Sequence, residues 1–201
     1  MLGKKATKVF TGTDGMEKFF PKEKIVVTGN PVRAGIAHST ISQSEGKKFF
    51  SLDERKKTVL VVGGSLGARS INEAIDKHLD ELLDADLQLI WQTGKLYTPK
   101  AKMDKGIWVN AFINQMEYAY AAADMVISRS GAMTVAELCV VKKPVLFVPY
   151  PFAAEDHQTV NAKYLVDREA AMMVKDSEAL DKVVPMILEL SKDENKLIRL
   201  P

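Results

Sequence analysis

At 201 residues and 46% apolar content, the chain is long enough for one large domain or two small ones with a real core. Its 28 Lys and Arg nearly balance 26 Asp and Glu, and a formal charge of +2 leaves no electrostatic footprint for nucleic acid. A single cysteine excludes an internal disulfide framework and suits a reducing, cytosolic compartment; no apolar run reaches membrane-spanning length and no signal-peptide pattern opens the chain.

Residues 1–29 hold two short strand candidates, 8–10 and 25–27, separated by a polar turn and the amphipathic stretch 16–20. Two such strands without a full crossover do not make a domain, and they read as the tail end of something longer plus a linker. Thr28-Gly29-Asn30-Pro31-Val32-Arg33 follows. Asn-Pro behind a glycine is a turn signal, and Pro31 pushes Asn30 out of helical space. Arg33, just after it, is either a solvated surface charge or part of a site. Residues 38–57 are polar and read as a surface connection with a short helical patch near Phe49, Phe50 and Leu52.

From Thr58 the pattern is regular. Strands are expected at 58–62, 87–92, 107–111, 125–128, 145–148 and 171–174. Helices are expected at 68–84, 95–103, 115–123, 132–142, 158–168 and 178–191, with another begun after 192. This alternation predicts an α/β fold over 30–201, a doubly wound, mostly parallel sheet with helices on both faces. Val59 to Val62 and Val145 to Val148 are continuously apolar, as buried parallel strands are. Cys139, among Val135, Leu138 and Val140, reads as a packed helical thiol.

In open α/β sheets ligands lie beyond the carboxyl ends of the strands, so the turns there carry the chemistry. After the first strand comes Gly63-Gly64-Ser65-Leu66-Gly67-Ala68. The glycines, Gly64 and Gly67 among them, permit close backbone approach to a phosphate, Ser65 adds a hydroxyl, and the following helix adds its dipole. The spacing is not the dinucleotide fingerprint, and Gln92-Thr93-Gly94 replaces the acid expected for a nicotinamide ribose. After the third strand, Phe112 and Ile113 are placed to frame a planar base, or simply to fill the core.

Ile127 to Glu137 reads strand, turn, helix: Ser128-Arg129-Ser130-Gly131, then Ala132-Met133-Thr134-Val135-Ala136-Glu137. Free N–H groups at that helix start favour an anion, and Glu137 one turn in is placed to accept from a pair of hydroxyls. Thr134-x-x-Glu137 is also the spacing of a capping box, which would occupy Glu137 with backbone. After the fifth strand, Asp156-His157-Gln158 forms a polar cluster ahead of Asn161, with helix capping by Asp156 as the alternative. The three histidines, His38, His78 and His157, are isolated from one another, so no metal site is expected. Asp84-Ala85-Asp86 reads as a solvated helix-to-strand turn. No nucleophile, base and orienter set is evident.

Together these turns resemble the nucleotide-binding C-terminal half of the MurG family, the N-acetylglucosaminyltransferases that make lipid II in bacterial peptidoglycan synthesis. Four motifs in register carry the likeness: residues 28–33, 63–68, 128–137 and 156–162. The resemblance implies a Rossmann-like C-terminal domain of a B-fold glycosyltransferase, with no cofactor. The donor would be UDP-N-acetylglucosamine. The acceptor would be an undecaprenyl-pyrophosphoryl-muramyl-pentapeptide held through an N-terminal half absent from this chain, along with the catalytic base. By position, Arg33 and Ser65 would contact the donor, Ser65 at the diphosphate. Ile113 would hold uracil through its backbone, Ala132, Met133 and Thr134 would line phosphates and ribose beside Val135 and Ala136, and Glu137 would take the ribose hydroxyls. Gln158 would contact the sugar. Gly64, Gly67, Arg129, Gly131, Phe112, His157 and Asn161 are further candidates around the same pocket; some family members carry a second Gln at the position of His157. The parent would be an inverting hexosyltransferase working peripherally at the cytoplasmic face of the plasma membrane. Related B-fold enzymes, such as a lipid galactosyltransferase or a UDP-N-acetylglucosamine 2-epimerase, and a non-enzymatic nucleotide-binding module remain the alternatives.

Overall fold

The computed structural model describes residues 5–100 and 105–200. Strands β1 (Val9–Thr11) and β2 (Ile25–Val27) pair in parallel with each other as a two-stranded sheet. The remaining strands are β3 (Lys57–Val62), β4 (Leu87–Gln92), β5 (Ile107–Asn110), β6 (Met125–Ser128), β7 (Val145–Phe147) and β8 (Met172–Met173). They form a six-stranded sheet in the order β5-β4-β3-β6-β7-β8, with every pairing parallel.

Because side chains alternate across a strand, each strand feeds two cores. Val59, Val61, Leu89, Trp91, Met125 and Ile127 point to one face, covered by α3 (Arg69–Lys77), α4 (Leu79–Asp84) and α8 (Ala179–Lys192). Leu60, Val62, Ile90, Val126, Val145 and Phe147 point to the other. That face meets α2 (Gln43–Phe49), α5 (Met116–Ala122), α6 (Ala132–Val141) and α7 (His157–Val166). A short α1 (Ala34–Ala37) follows Arg33, and α9 (Glu194–Arg199) follows α8. The doubly wound expectation is met. Strand order reverses between β3 and β6, so the crevice at their carboxyl ends is the switch point where such sheets bind ligands.

Four sequence expectations need correction. The stretch 38–57 is not a surface connection. Ser42 and Glu45 form a capping box that starts α2, and Phe50 and Leu52 are buried in the second core. Gly46 lets α2 lie against α5, since a Cβ there would sit 2.6 Å from the Ala122 nitrogen. Lys47 disguised this helix: its side chain is buried, with the ammonium donating to the carbonyls of Glu54 and Lys56. The helix expected at 68–84 is two, broken at His78, whose ring bonds Glu81 and the Leu180 carbonyl. The helix expected at 95–103 is turn and loop through Lys100, where Asp76 accepts from the Tyr97 hydroxyl and the Lys100 N–H; 101–103 lie outside the described residues. Cys139 is exposed and not packed, although partial desolvation still pushes its thiol pKa up. Asp84-Ala85-Asp86 is the helix-to-strand turn expected, with Asp86 left-handed. Among the described residues no helix is long and apolar enough to cross a membrane.

Candidate functional site

The β3 and β6 strands end level, Val62 opposite Ser128 and Ser128 opposite Phe147, so their following turns converge on one crevice. After β3 the chain makes a tight turn in which the Gly67 N–H donates to the Gly64 carbonyl at 3.0 Å. Ser65 and Leu66 stand exposed at its tip. Gly67 has φ 83°, and a Cβ there would lie 2.1 Å from the Thr93 carbonyl oxygen, so only glycine allows this turn to pack against the end of β4. No side chain caps α3 or α6, whose caps are Ala68 and Gly131. Both helices therefore present first-turn N–H groups at the crevice, the arrangement that favours an anion.

Glu137 is buried one and a half turns into α6. Its carboxylate accepts from Arg33 Nε at 3.1 Å and from the Tyr120 hydroxyl at 3.0 Å. The capping-box alternative is not realised: α6 starts at Ala132, Thr134 lies inside it, and Glu137 bonds side chains instead of backbone. Ala132 and Met133 are exposed, with Thr134, Val135 and Ala136 half-buried behind them. The segment before α1 is held to this helix start by the Asn30 amide, which donates to the Ala132 carbonyl at 3.4 Å.

Ile113 buries its side chain in the second core, while Phe112 is half exposed. The Ile113 N–H donates to Gln92 Oε1 at 3.1 Å, and Gln92 Nε2 donates to the Gly64 carbonyl at 3.0 Å. One buried amide thus ties the loop after β5 to the glycine turn after β3.

Gln158 opens α7. Its Oε1 accepts from the backbone N–H groups of Ser130 and Tyr150, at 3.2 and 3.0 Å, so its acceptor side is committed and only the NH₂ remains for a ligand. Ser130 Oγ donates to the Gln158 carbonyl and Asn161 Nδ2 to the Ser130 carbonyl, which makes Asn161 a clasp between α7 and the turn after β6. His157 is exposed, its Nδ1 2.7 Å from the Ala154 carbonyl. Asp156 makes no backbone capping bond; its carboxylate accepts from Thr159 Oγ1. Glu155 and Asp156 both lie in the left-handed region, at φ 51° each, a conformation costing about 1–2 kcal/mol per residue and characteristic of functional loops.

Arg129 reaches from the turn after β6 across to the first turn of α3. Its guanidinium donates to the carbonyls of Val148 and Pro149, to Asp176 Oδ1 at 2.5 Å and to Ser70 Oγ. It locks β6, β7, α3 and the segment before α8 together. A hollow of about 660 Å³ opens beside this lock and the glycine turn, lined by Leu66, Arg69, Arg129, Tyr150 and Phe152 among others. A larger one, about 760 Å³, lies near Lys57 and Leu87 at the amino ends of β3 and β4, away from every candidate residue.

The sequence reading missed Tyr120, Gln92 and the Arg129–Asp176 lock. None has a local signature: Tyr120 reaches Glu137 across 17 positions, Gln92 reaches Gly64 across 28 and Arg129 reaches Asp176 across 47.

The family model described as the glycosyltransferase family 28 C-terminal domain matches residues 58–200. A relative from Parabacteroides distasonis is 48% identical over 206 residues, covering 100% of this chain and 56% of its own length. Another, from Flavobacterium psychrophilum, is 46% identical over 192 residues, covering 94% and 52%. Both are described as UDP-N-acetylglucosamine–N-acetylmuramyl-(pentapeptide) pyrophosphoryl-undecaprenol N-acetylglucosamine transferases. The crystal structure of Acinetobacter baumannii MurG is similar at TM-score 0.64 and 29% identity, covering 90% of this chain and 53% of that one. The C-terminal CMP-Kdo binding domain of WaaA, also from Acinetobacter baumannii, has TM-score 0.56 at 13% identity, covering 84% of this chain and 95% of that one, a likeness of fold alone. The chain spans about half the length of the curated relatives it matches.

Proposed function

The chain belongs to the glycosyltransferase family 28 C-terminal domain family, and from that premise we propose that it is the half that binds UDP-N-acetylglucosamine in the enzyme that transfers N-acetylglucosamine to lipid I. The observation that carries this reading is the convergence, at the β3/β6 switch point, of two uncapped helix starts with the buried carboxylate of Glu137. Two helix starts suit a diphosphate, and a fixed carboxylate one and a half turns deeper suits a diol.

In this reading Ser65, with the backbone of the glycine turn, takes the diphosphate, and Ala132 to Thr134 line phosphates and ribose. Glu137 takes the ribose hydroxyls, which replace Arg33 on its carboxylate and free that guanidinium for the donor. Uracil lies against Phe112 and exchanges partners with Gln92 at the Ile113 N–H. Gln158 donates its NH₂ to the sugar. The division of the chain is part of the proposal: residues 1–29, with their separate β1–β2 pair, form tail and linker, and 30–201 the donor domain. The undecaprenyl-pyrophosphoryl-muramyl-pentapeptide acceptor, the catalytic base and the peripheral contact with the cytoplasmic face of the membrane belong to the remaining length of the relatives.

Saturation-transfer NMR of the chain with UDP, UDP-N-acetylglucosamine and CMP tests the reading. Transfer to the uridine protons, displaced by UDP-N-acetylglucosamine and absent for CMP, supports it. Equal transfer to CMP, or none to UDP, overturns it.

A further inference from the structure

Tyr120 is 2% exposed on α5, inside the second core, yet it carries a hydroxyl there. That hydroxyl donates to Glu137 Oε2 at 3.0 Å. A tyrosine hydroxyl has one proton to give, and a buried one is costly without a partner. Burial, then the neighbouring Glu137 charge, pushes the Tyr120 pKa far up, so the hydroxyl stays a donor throughout the working pH range. The other oxygen, Glu137 Oε1, faces Arg33, whose side chain is 55% exposed. The two carboxylate oxygens therefore have different surroundings: Oε2 is tied from the core side, and Oε1 is reached from the solvent side by replacing a half-exposed cation.

We propose that Tyr120 is a positioning residue, which fixes the Glu137 carboxylate so that a single oxygen, Oε1, reads the ribose of the nucleotide. The inference rests on the donor-site reading above. Without the hydroxyl, Glu137 keeps its charge but is free to turn its carboxylate about its side-chain bonds and to hold Arg33 with both oxygens. A ribose hydroxyl then meets an acceptor whose direction is no longer set, and discrimination against a nucleotide lacking that hydroxyl falls. Charge attraction and phosphate contacts do not depend on Tyr120 and stay as they were.

Tyr120→Phe removes one oxygen atom and preserves the ring that packs the core. Calorimetric titration with UDP and with 2′-deoxy-UDP is run on wild type, Tyr120→Phe, Glu137→Ala and the double variant. Wild type is expected to prefer UDP by about tenfold or more, as a lost hydrogen bond to a charged group implies. Tyr120→Phe narrows that preference by about three- to tenfold, with the loss in UDP and little change for 2′-deoxy-UDP. In the double variant the preference equals that of Glu137→Ala alone, because Tyr120 acts only through the carboxylate, which that substitution removes. A general loosening of the core would weaken both nucleotides equally and add to the effect of Glu137→Ala. Wild-type preference retained in Tyr120→Phe, or additive losses in the double variant, overturns the role of Tyr120 and leaves the donor site standing. A wild type that fails to distinguish the two nucleotides overturns the ribose role of Glu137 and this inference with it.

Discussion

Arg33 and Glu137, 104 residues apart in the chain, meet with Nε 3.1 Å from Oε1. One partner stands at the N-cap of α1 and the other inside α6. An ion pair with one exposed member is worth little by itself, about 0–1 kcal/mol. On the proposed reading, a ligand diol displaces Arg33 at small cost and gains the carboxylate.

Replacing Glu137 by Gln keeps the shape and lets the amide oxygen still accept from Tyr120. UDP affinity should drop by about 1.5–3 kcal/mol, because hydrogen bonds to a charged acceptor are the stronger ones. The melting temperature should change little. Parallel thermal melts and UDP titrations check this; a large loss of stability with affinity intact would assign Glu137 to the scaffold.

Gln92→Ala cuts the tie between the glycine turn and the loop after β5. The Ile113 N–H is then left in the core without its acceptor, which costs about 1–3 kcal/mol of stability. Urea denaturation should show that loss, and UDP should bind more weakly because two walls of its pocket are no longer coupled. A variant as stable as wild type would mean that water or a backbone group replaces the amide.

Gln158 has two jobs that one substitution can separate. Gln158→Glu keeps an oxygen for the Ser130 and Tyr150 N–H groups but removes the only donors left for a sugar. The added charge weakens all diphosphates alike, so the informative quantity is the ratio of UDP-N-acetylglucosamine to UDP affinity. That ratio should fall by about 1–2 kcal/mol, the scale of one lost hydrogen bond. An unchanged ratio would place sugar recognition elsewhere, with the neighbouring His157 next to be tested.

Arg129→Lys should behave oppositely to Glu137→Gln. A lysine ammonium cannot reproduce the planar fork that joins Val148, Pro149, Asp176 and Ser70. Stability should fall by about 2–4 kcal/mol, as for a largely buried pair deprived of its geometry. Below the melting transition, UDP affinity should change less than about threefold. Calorimetric melting plus titration reads both, and a selective loss of affinity would bring Arg129 back into the donor site.

Much of this was legible along the chain. Val59 to Val62 is wholly apolar because β3 is covered on both faces, and that made the sheet readable. The glycine turn and the Ser128 to Glu137 segment were readable because each is a continuous stretch whose local order, strand then turn then helix, is itself the signal. Helix α2 was hidden by Lys47, a charged residue buried through carbonyl bonds that no periodicity reveals. The loop at 95–100 was read as helix because the bonds that hold it, from the Tyr97 hydroxyl and the Lys100 N–H to Asp76, are not local. In the site, the sequence named Arg33, Ile113, Glu137 and Gln158, while their present partners Tyr120, Gln92 and Ser130 emerged only from the tertiary fold.

The central claim is that this crevice binds a uridine diphosphate through backbone donors and Glu137. Isothermal titration of the chain with UDP, repeated in EDTA and on Glu137→Gln, tests it most directly. The account predicts saturable one-to-one binding that survives EDTA, since helix-start N–H groups and Ser65 serve the diphosphate, and that weakens at least tenfold in Glu137→Gln, as about 1.5 kcal/mol or more implies. A folded chain that shows no UDP binding, or binds UDP equally well without the Glu137 carboxylate, would contradict it.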